Sequence, residues 1–175
     1  SLQRRKSNID AAQARIREAL CAALGIGEDE LPFAGELIQV RDDQRDWEGA
    51  AERLLRGFGL ALLVPDAHYQ AVADWVDRQH LGARLVYFHV RQRKGAQGGM
   101  LHPQSLVRKL QIKPDSPLYE WLEQELKNRF DFACCDTGEQ FRREGRAITR
   151  AGQIKDPSGR HEKDDRSRID DRSRY

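Results

Sequence analysis

Residues 37–64 (LIQVRDDQRDWEGAAERLLRGFGLALLV) can be laid over residues 109–136 (KLQIKPDSPLYEWLEQELKNRFDFACCD) without a gap, at a constant offset of 72 (109 − 37). Gln39 meets Gln111, Asp43 meets Asp115, Leu54 meets Leu126, Phe58 meets Phe130 and Ala61 meets Ala133. Val40/Ile112, Arg41/Lys113 and Trp47/Tyr119 match in chemistry. The apolar positions keep register through strand, helix and strand, and in a sheet a slip of one residue turns buried side chains outward. The chain reads as an α/β (α+β) domain of two lobes, each a strand-helix-strand unit. The alternative is two unrelated units that share an order. With 175 residues, 39% of them hydrophobic, the chain is long enough for one ordinary domain or two small lobes sharing a core.

Around this repeat the periodicity assigns the remaining elements. Ile9, Ala12, Ile16, Ala19, Leu20, Ala23 and Leu24 form one helical stripe stopped by Gly25 and Gly27, either a surface helix or the last turns of a coiled coil. Glu36 to Val40 reads as a strand, and Asp46 as the cap of a helix through Trp47, Ala50, Ala51, Leu54 and Leu55. Phe58 to Val64 and Leu85 to Val90 read as buried strands flanking a helix that starts at Pro65-Asp66. In the second half Leu106 to Ile112, Phe130 to Cys135 and Ala147 to Thr149 read as strands, with helices begun at Ser116-Pro117 and spanning about Gly138 to Glu144. From Arg160 to Tyr175 almost nothing is apolar, which predicts a solvated, disordered tail or a charged connector.

The sequence argues against chemistry. There is no Gly-x-x-x-x-Gly-Lys-Ser/Thr loop, and the glycine-rich stretch Arg93 to Gly99 lacks the Lys-Ser/Thr pair and the apolar helix that a nucleotide site needs. The five histidines are scattered, and adjacent Cys134 and Cys135 in a strand point to opposite faces, so no metal and no cofactor are expected. Serine and cysteine lack a recognisable nucleophile setting, so the chain is not expected to be an enzyme. The longest apolar runs fall far short of the roughly 18 residues of a membrane span. Three cysteines and no secretory signal point to a cytoplasmic chain. A net charge of +2 makes no general case for nucleic acid, which leaves local clusters as DNA-contact candidates: Arg91, Arg93 and Lys94, then Arg108, Lys109 and Lys113. Any DNA binding is expected to be weak and non-specific.

From Glu36 to Val90, and again at AITRAGQIKDPSG (147–159), the sequence resembles the hinge domain of SMC-type ATPases over roughly residues 31–160. PFAGELIQVR and RDWEGAAERLLRGFGLALLVPD are similar to MukB-like SMC proteins of Wadjet-type bacterial plasmid-defence systems. The resemblance implies the end of a coiled-coil arm at 1–30, hinge lobe 1 at 31–100, lobe 2 at 101–160 and a connector toward a returning arm at 161–175. It also implies homodimerisation with a second copy, with Gly95, Gly98, Gly99, Gly152 and Gly159 at the interface. The parent would be an ATPase, nucleoid- or plasmid-associated, acting on DNA with kleisin, winged-helix and nuclease subunits. Many such hinges carry a Gly-Gly pair at the end of the last motif, whereas here Gly159 is followed by Arg160-His161-Glu162. The rival reading is a monomeric, sequence-independent nucleic-acid-binding module.

Overall fold

The computed structural model describes residues 10–92 and 99–166. Helix α1 (Ala11–Leu24) buries Ile16, Leu20 and Cys21; the Asp10 carboxylate accepts from the Ala12 N–H at its start. Gly25 ends it in the left-handed conformation, φ +67°, donating to the Cys21 carbonyl, a turn that favours a residue without Cβ. Lobe 1 then contains β1 (Ile38–Val40), α2 (Glu48–Gly59), β2 (Leu62–Pro65), α3 (Asp66–Arg78) and β3 (Tyr87–Val90). Lobe 2 contains β4 (Leu110–Ile112), α4 (Tyr119–Arg129), β5 (Ala133–Cys135), α5 (Gly138–Arg143), β6 (Ala147–Thr149), β7 (Gln153–Lys155) and β8 (His161–Lys163).

Each lobe is built on a parallel pair joined by a helical crossover, β2-α3-β3 in one and β5-α5-β6 in the other. Lobe 2 continues with the antiparallel strands β7 and β8. The lobes are joined by β1 and β4, paired antiparallel with Ile38 opposite Ile112, Gln39 opposite Gln111 and Val40 opposite Leu110. Gln39 and Gln111 are counterparts at offset 72, so this strand pair has a local twofold axis between them. The axis exchanges two further hydrogen bonds, Arg41 N–H to the Lys109 carbonyl at 2.8 Å and Lys113 N–H to the Leu37 carbonyl at 2.9 Å. It also runs between the counterparts Phe58 and Phe130, whose ring centroids are 5.4 Å apart.

The repeat carries one gap that the sequence overlay lacks. Phe33 bridges Leu62 where Ser105 bridges Ala133, and the Ala34 N–H bonds to the Ala61 carbonyl where the Leu106 N–H bonds to that of Phe132. The offset is therefore 72 as far as Phe58/Phe130 and 71 from Ala61/Phe132 onward (132 − 61), so Ala61 corresponds to Phe132 and not to Ala133. Between the counterparts Phe58/Phe130 and Ala61/Phe132 lobe 1 has two residues, Gly59 and Leu60, and lobe 2 has one, Asp131.

Several element limits also differ from the sequence reading. Leu106–Lys109 and Ala34–Glu36 are 3-10 turns, so the strands there begin only at Leu110 and Ile38. Phe58 and Gly59 close α2 and do not open a strand, and Asp46 gives α2 no side-chain cap. β3 is only half-buried over Tyr87 to His89, because nothing described covers its outer side. Residues 153–155, in which Ile154 alone is apolar, and 161–163 form strands, so structure continues past the point where composition turns charged.

The main core lies between the lobes. Trp47, Ala50, Ala51 and Phe58 of lobe 1 meet Leu110, Leu118, Trp121, Leu122 and Leu126 of lobe 2, with Leu63 and Cys134 contributed by the two inner strands. A second cluster on the other face of β2 packs Leu62 and Val64 against Ile16, Leu20 and Cys21 of α1 and Val72 and Trp75 of α3. α1 is thus part of the packed lobe, at least from Gln13 to Cys21. The matching outer face of lobe 2 is covered by Phe141 of the short α5 over Ala133, Cys135 and Ala147.

Candidate dimerisation surface

Each lobe's sheet ends in an edge strand, β3 in lobe 1 and β8 in lobe 2. β3 pairs with β2 on one side, and among the described residues no strand pairs with its other side. Its lobe 2 counterpart, β6, has that same side covered by β7, and β7 in turn by β8. β8 ends the lobe 2 sheet, and among the described residues no strand pairs with its other side; His161, Glu162 and Lys163 are exposed. The Asp156 N–H donates to the Arg160 carbonyl at 3.0 Å, which sets the phase of the β7–β8 ladder. Bonded pairs alternate in an antiparallel ladder, so His161 and Lys163 turn their N–H and C=O groups to the open side.

The two hairpins that build this extension use one turn design. In Thr149–Gly152 and Asp156–Gly159 the fourth N–H bonds to the first carbonyl, at 2.9 and 3.0 Å. Both glycines are left-handed, φ +92° and +91°, as expected for a type I turn closed by a residue at positive φ. The Asp156 carboxylate accepts from the Ser158 N–H and Oγ, which holds the second turn and draws its pKa below the ordinary value. Gly152 and Gly159 thus have a local backbone reason to be glycine. Gly99 is exposed with open space around its Cα. Gly95, Gly98, Arg93 and Lys94 lie outside the described residues.

β3 presents Tyr87, Phe88 and His89. His89 stacks on Tyr69 of α3, centroids 3.7 Å apart, and its Nε2 lies 2.6 Å from the Asp66 carboxylate. Phe88 packs on Phe58 and Trp121 under the Arg129 guanidinium. Arg91, just beyond β3, is exposed. Of the other cations proposed for DNA, Arg108 and Lys109 line one recess of about 350 Å³ together with Arg41 and Arg150. Lys113 is not among the residues that line it; it caps the far end of β4. Arg41 and Arg150 were not singled out from the sequence; the pairing of Arg41 with Lys113 at offset 72 was the available signal for the first.

After β8 the chain returns to lobe 1, where Arg53 Nε donates to the Asp164 carbonyl at 2.9 Å and Arg56 approaches its carboxylate at 3.4 Å. This segment is tied to α2, which covers one face of β2, while α1 covers the other. The cysteines are buried, free thiols. Burial pushes the Cys134 thiol from its ordinary 9.0 up to about 12 and raises those of Cys21 and Cys135. An unfolded thiol ionises near 9 while folded Cys134 stays neutral, so its contribution is intact below pH 9 and is lost as pH rises toward about 12. Urea midpoints are expected to fall over that window, and less steeply in Cys134→Ala; parallel profiles would contradict the assignment.

No protein-family model matches the sequence, and no curated protein matches it. Solved structures do match. The crystal structure of the Pyrococcus furiosus SMC protein hinge domain superposes with a TM-score of 0.63 at 19% identity, covering 98% of this chain and 92% of that one. The chain has the SMC hinge fold. The Pyrococcus furiosus Smc hinge domain with an extended coiled coil gives a TM-score of 0.62 at 18% identity over 93% of this chain, which spans 61% of that longer chain. The folded elbow of cohesin gives 0.64 at 17% identity over 95% of this chain and 26% of that one. The hinge fold accounts for the two-lobed α/β architecture expected from the repeat. It places the free edges β3 and β8 in different lobes of one molecule.

Proposed function

We propose that this chain is a non-catalytic dimerisation hinge in which β3 of one copy pairs with β8 of a second copy. The observation that carries the reading is the mismatch between equivalent edges: lobe 2 covers its β6 with two added strands, whereas lobe 1 leaves β3 open. Open strand edges are templates for further pairing. A twofold operation that brings β3 onto the partner's β8 brings the partner's β3 onto β8 as well, so the contact forms twice and closes. Gly99, with Gly95 and Gly98, lies in the segment that follows β3 and is proposed to border this contact; Gly152 and Gly159 shape the hairpins that deliver β8.

The parent protein, on this reading, is an SMC-like ATPase whose coiled-coil arms extend from the hinge. The resemblance to Wadjet-type chains supports a role in plasmid restriction with kleisin, winged-helix and nuclease partners. Contact of the hinge itself with DNA would be weak and lost steeply with salt, since the exposed Arg91 and Lys113 offer phosphate contacts without base readout.

Light scattering at tens of micromolar is expected to give twice the mass of one chain. Lys163→Pro removes an outward N–H without touching the β7 ladder. It is expected to weaken the dimer by tenfold or more while leaving the melting temperature of the dilute monomer unchanged. A wild-type monomer at these concentrations, or a Lys163→Pro dimer of full strength, would count against edge pairing.

A further inference from the structure

We propose that the recess between the lobes binds a compact, multiply charged phosphate anion of the pyrophosphate class. Arg41, Arg108, Lys109 and Arg150 line it, against the carboxylates Asp43 and Asp136, which leaves two positive charges in excess. Three of the cations are held in place by neutral acceptors. Arg41 Nε donates to the Arg108 carbonyl at 3.2 Å, Arg108 Nε to that of His102 at 2.9 Å, and Lys109 Nζ to Gln44 Oε1 at 2.8 Å. Among the described residues none of these three forms an ion pair, whereas Arg150 is paired with Asp136 at 2.5 Å and with Asp46 at 3.8 Å. Anchored, unneutralised guanidinium forks are suited to phosphate oxygens.

The local twofold supplies an internal control. At the other end of the strand pair the counterparts of Arg41, Arg108 and Lys109 are Lys113, Glu36 and Leu37. Arg150 corresponds to Val90, because Ala147 faces Ala133 as Tyr87 faces Leu62. The same backbone therefore stands with one cation there and four here, so strand pairing does not require the charge. Trp47 also lines the recess but is 3% exposed, with Lys109 and Arg150 already over its ring. No aromatic face remains for a base, which favours a phosphate-only ligand, and Asp43 and Asp136 disfavour a long polyanion threading past them. A volume of about 350 Å³ is at the small end of ligand sites. Because Arg41 comes from lobe 1 and the others from lobe 2, the bound ion would tie the lobes together.

The test is titration of the whole chain with sodium pyrophosphate at ionic strength matched with chloride, read by calorimetry and by melting temperature. Saturable binding at one site per chain with a raised melting temperature is expected. Arg41→Gln and Arg108→Gln should each weaken it about tenfold, and Lys113→Gln should leave it unchanged. Arg41 is exposed and tethered through Nε alone, so Arg41→Gln decides the matter even if Arg108→Gln, which frees the carbonyls of Leu101 and His102, melts early. Absence of saturable binding, or equal weakening by Lys113→Gln, overturns the proposal. So does a short oligonucleotide that binds through Arg41 and is not displaced by pyrophosphate, since the ligand would then be a phosphodiester chain.

Discussion

Replacing Phe58 with alanine is expected to remove about 3–5 kcal/mol from the free energy of unfolding, the range for a buried aromatic truncated to a methyl group. The ring is 8% exposed and stands where both lobes meet. Its centroid lies 5.4 Å from Phe130, 5.5 Å from Phe88 and 6.5 Å from Trp121, and the Arg129 guanidinium sits 6.0 Å above it. These neighbours come from α4 with its closing residue Phe130 and from β3, so no single element can close the cavity. Domains of this size hold about 5–15 kcal/mol in total, and the loss would be visible as a large drop in the urea midpoint. Phe130→Ala, at the partly exposed counterpart, should cost less; equal costs would show that the two positions are packed alike.

The second large effect is expected at Glu36. Arg17 of α1 meets its carboxylate through two nitrogens, at 2.6 and 3.1 Å, with side chains 12% and 10% exposed. Oε1 also accepts the Phe33 N–H at 2.9 Å. Glu36→Ala leaves a guanidinium sandwiched against the Phe33 ring, 4.6 Å away, with only the more exposed Glu28 nearby at 3.5 Å. Stranding one partner of a largely buried pair costs about 3–5 kcal/mol, here nearer the lower value because the site is not fully dry. Hydrogen exchange should locate the loss in α1, while Arg17→Ala/Glu36→Ala should cost less than the two single changes summed. A uniform loss across both lobes would show that the pair does not anchor the helix.

What the sequence revealed depended on which physical signal each element carries. α1 was legible because a polar face makes its apolar stripe periodic and Gly25 marks its end. The repeat was legible through helices and the counterparts on the twofold axis, Gln39/Gln111 and Phe58/Phe130. Its change of offset was not. β2 and β5 are buried on both faces, so alternation is absent, and a slip of one residue in such a strand exposes nothing and leaves no trace in the pattern. β7 and β8 failed in the opposite way, being too polar for any apolar period. Their signal was turn chemistry, Thr149 with Gly152 and Asp156-Pro157-Ser158 with Gly159, which the polar composition masked. Of the cations, Arg108 and Lys109 were conspicuous as neighbours, but Arg41 and Arg150 join them only through the pairing of β1 with β4 and of β5 with β6.

The strands that unite the lobes are three residues long on each side, and a strand pair of that length is marginal in water unless apolar packing stands behind it, as the core between the lobes does here. Two half-length polypeptides meeting through that seam would be opposed by dilution. Covalent continuity from β3 to β4 replaces bulk concentration with a higher local one. Covalent linkage thus adds to a core that already joins the lobes, whereas the proposed meeting of a four-residue β3 with a three-residue β8 has no such linkage and relies on the twofold forming it twice.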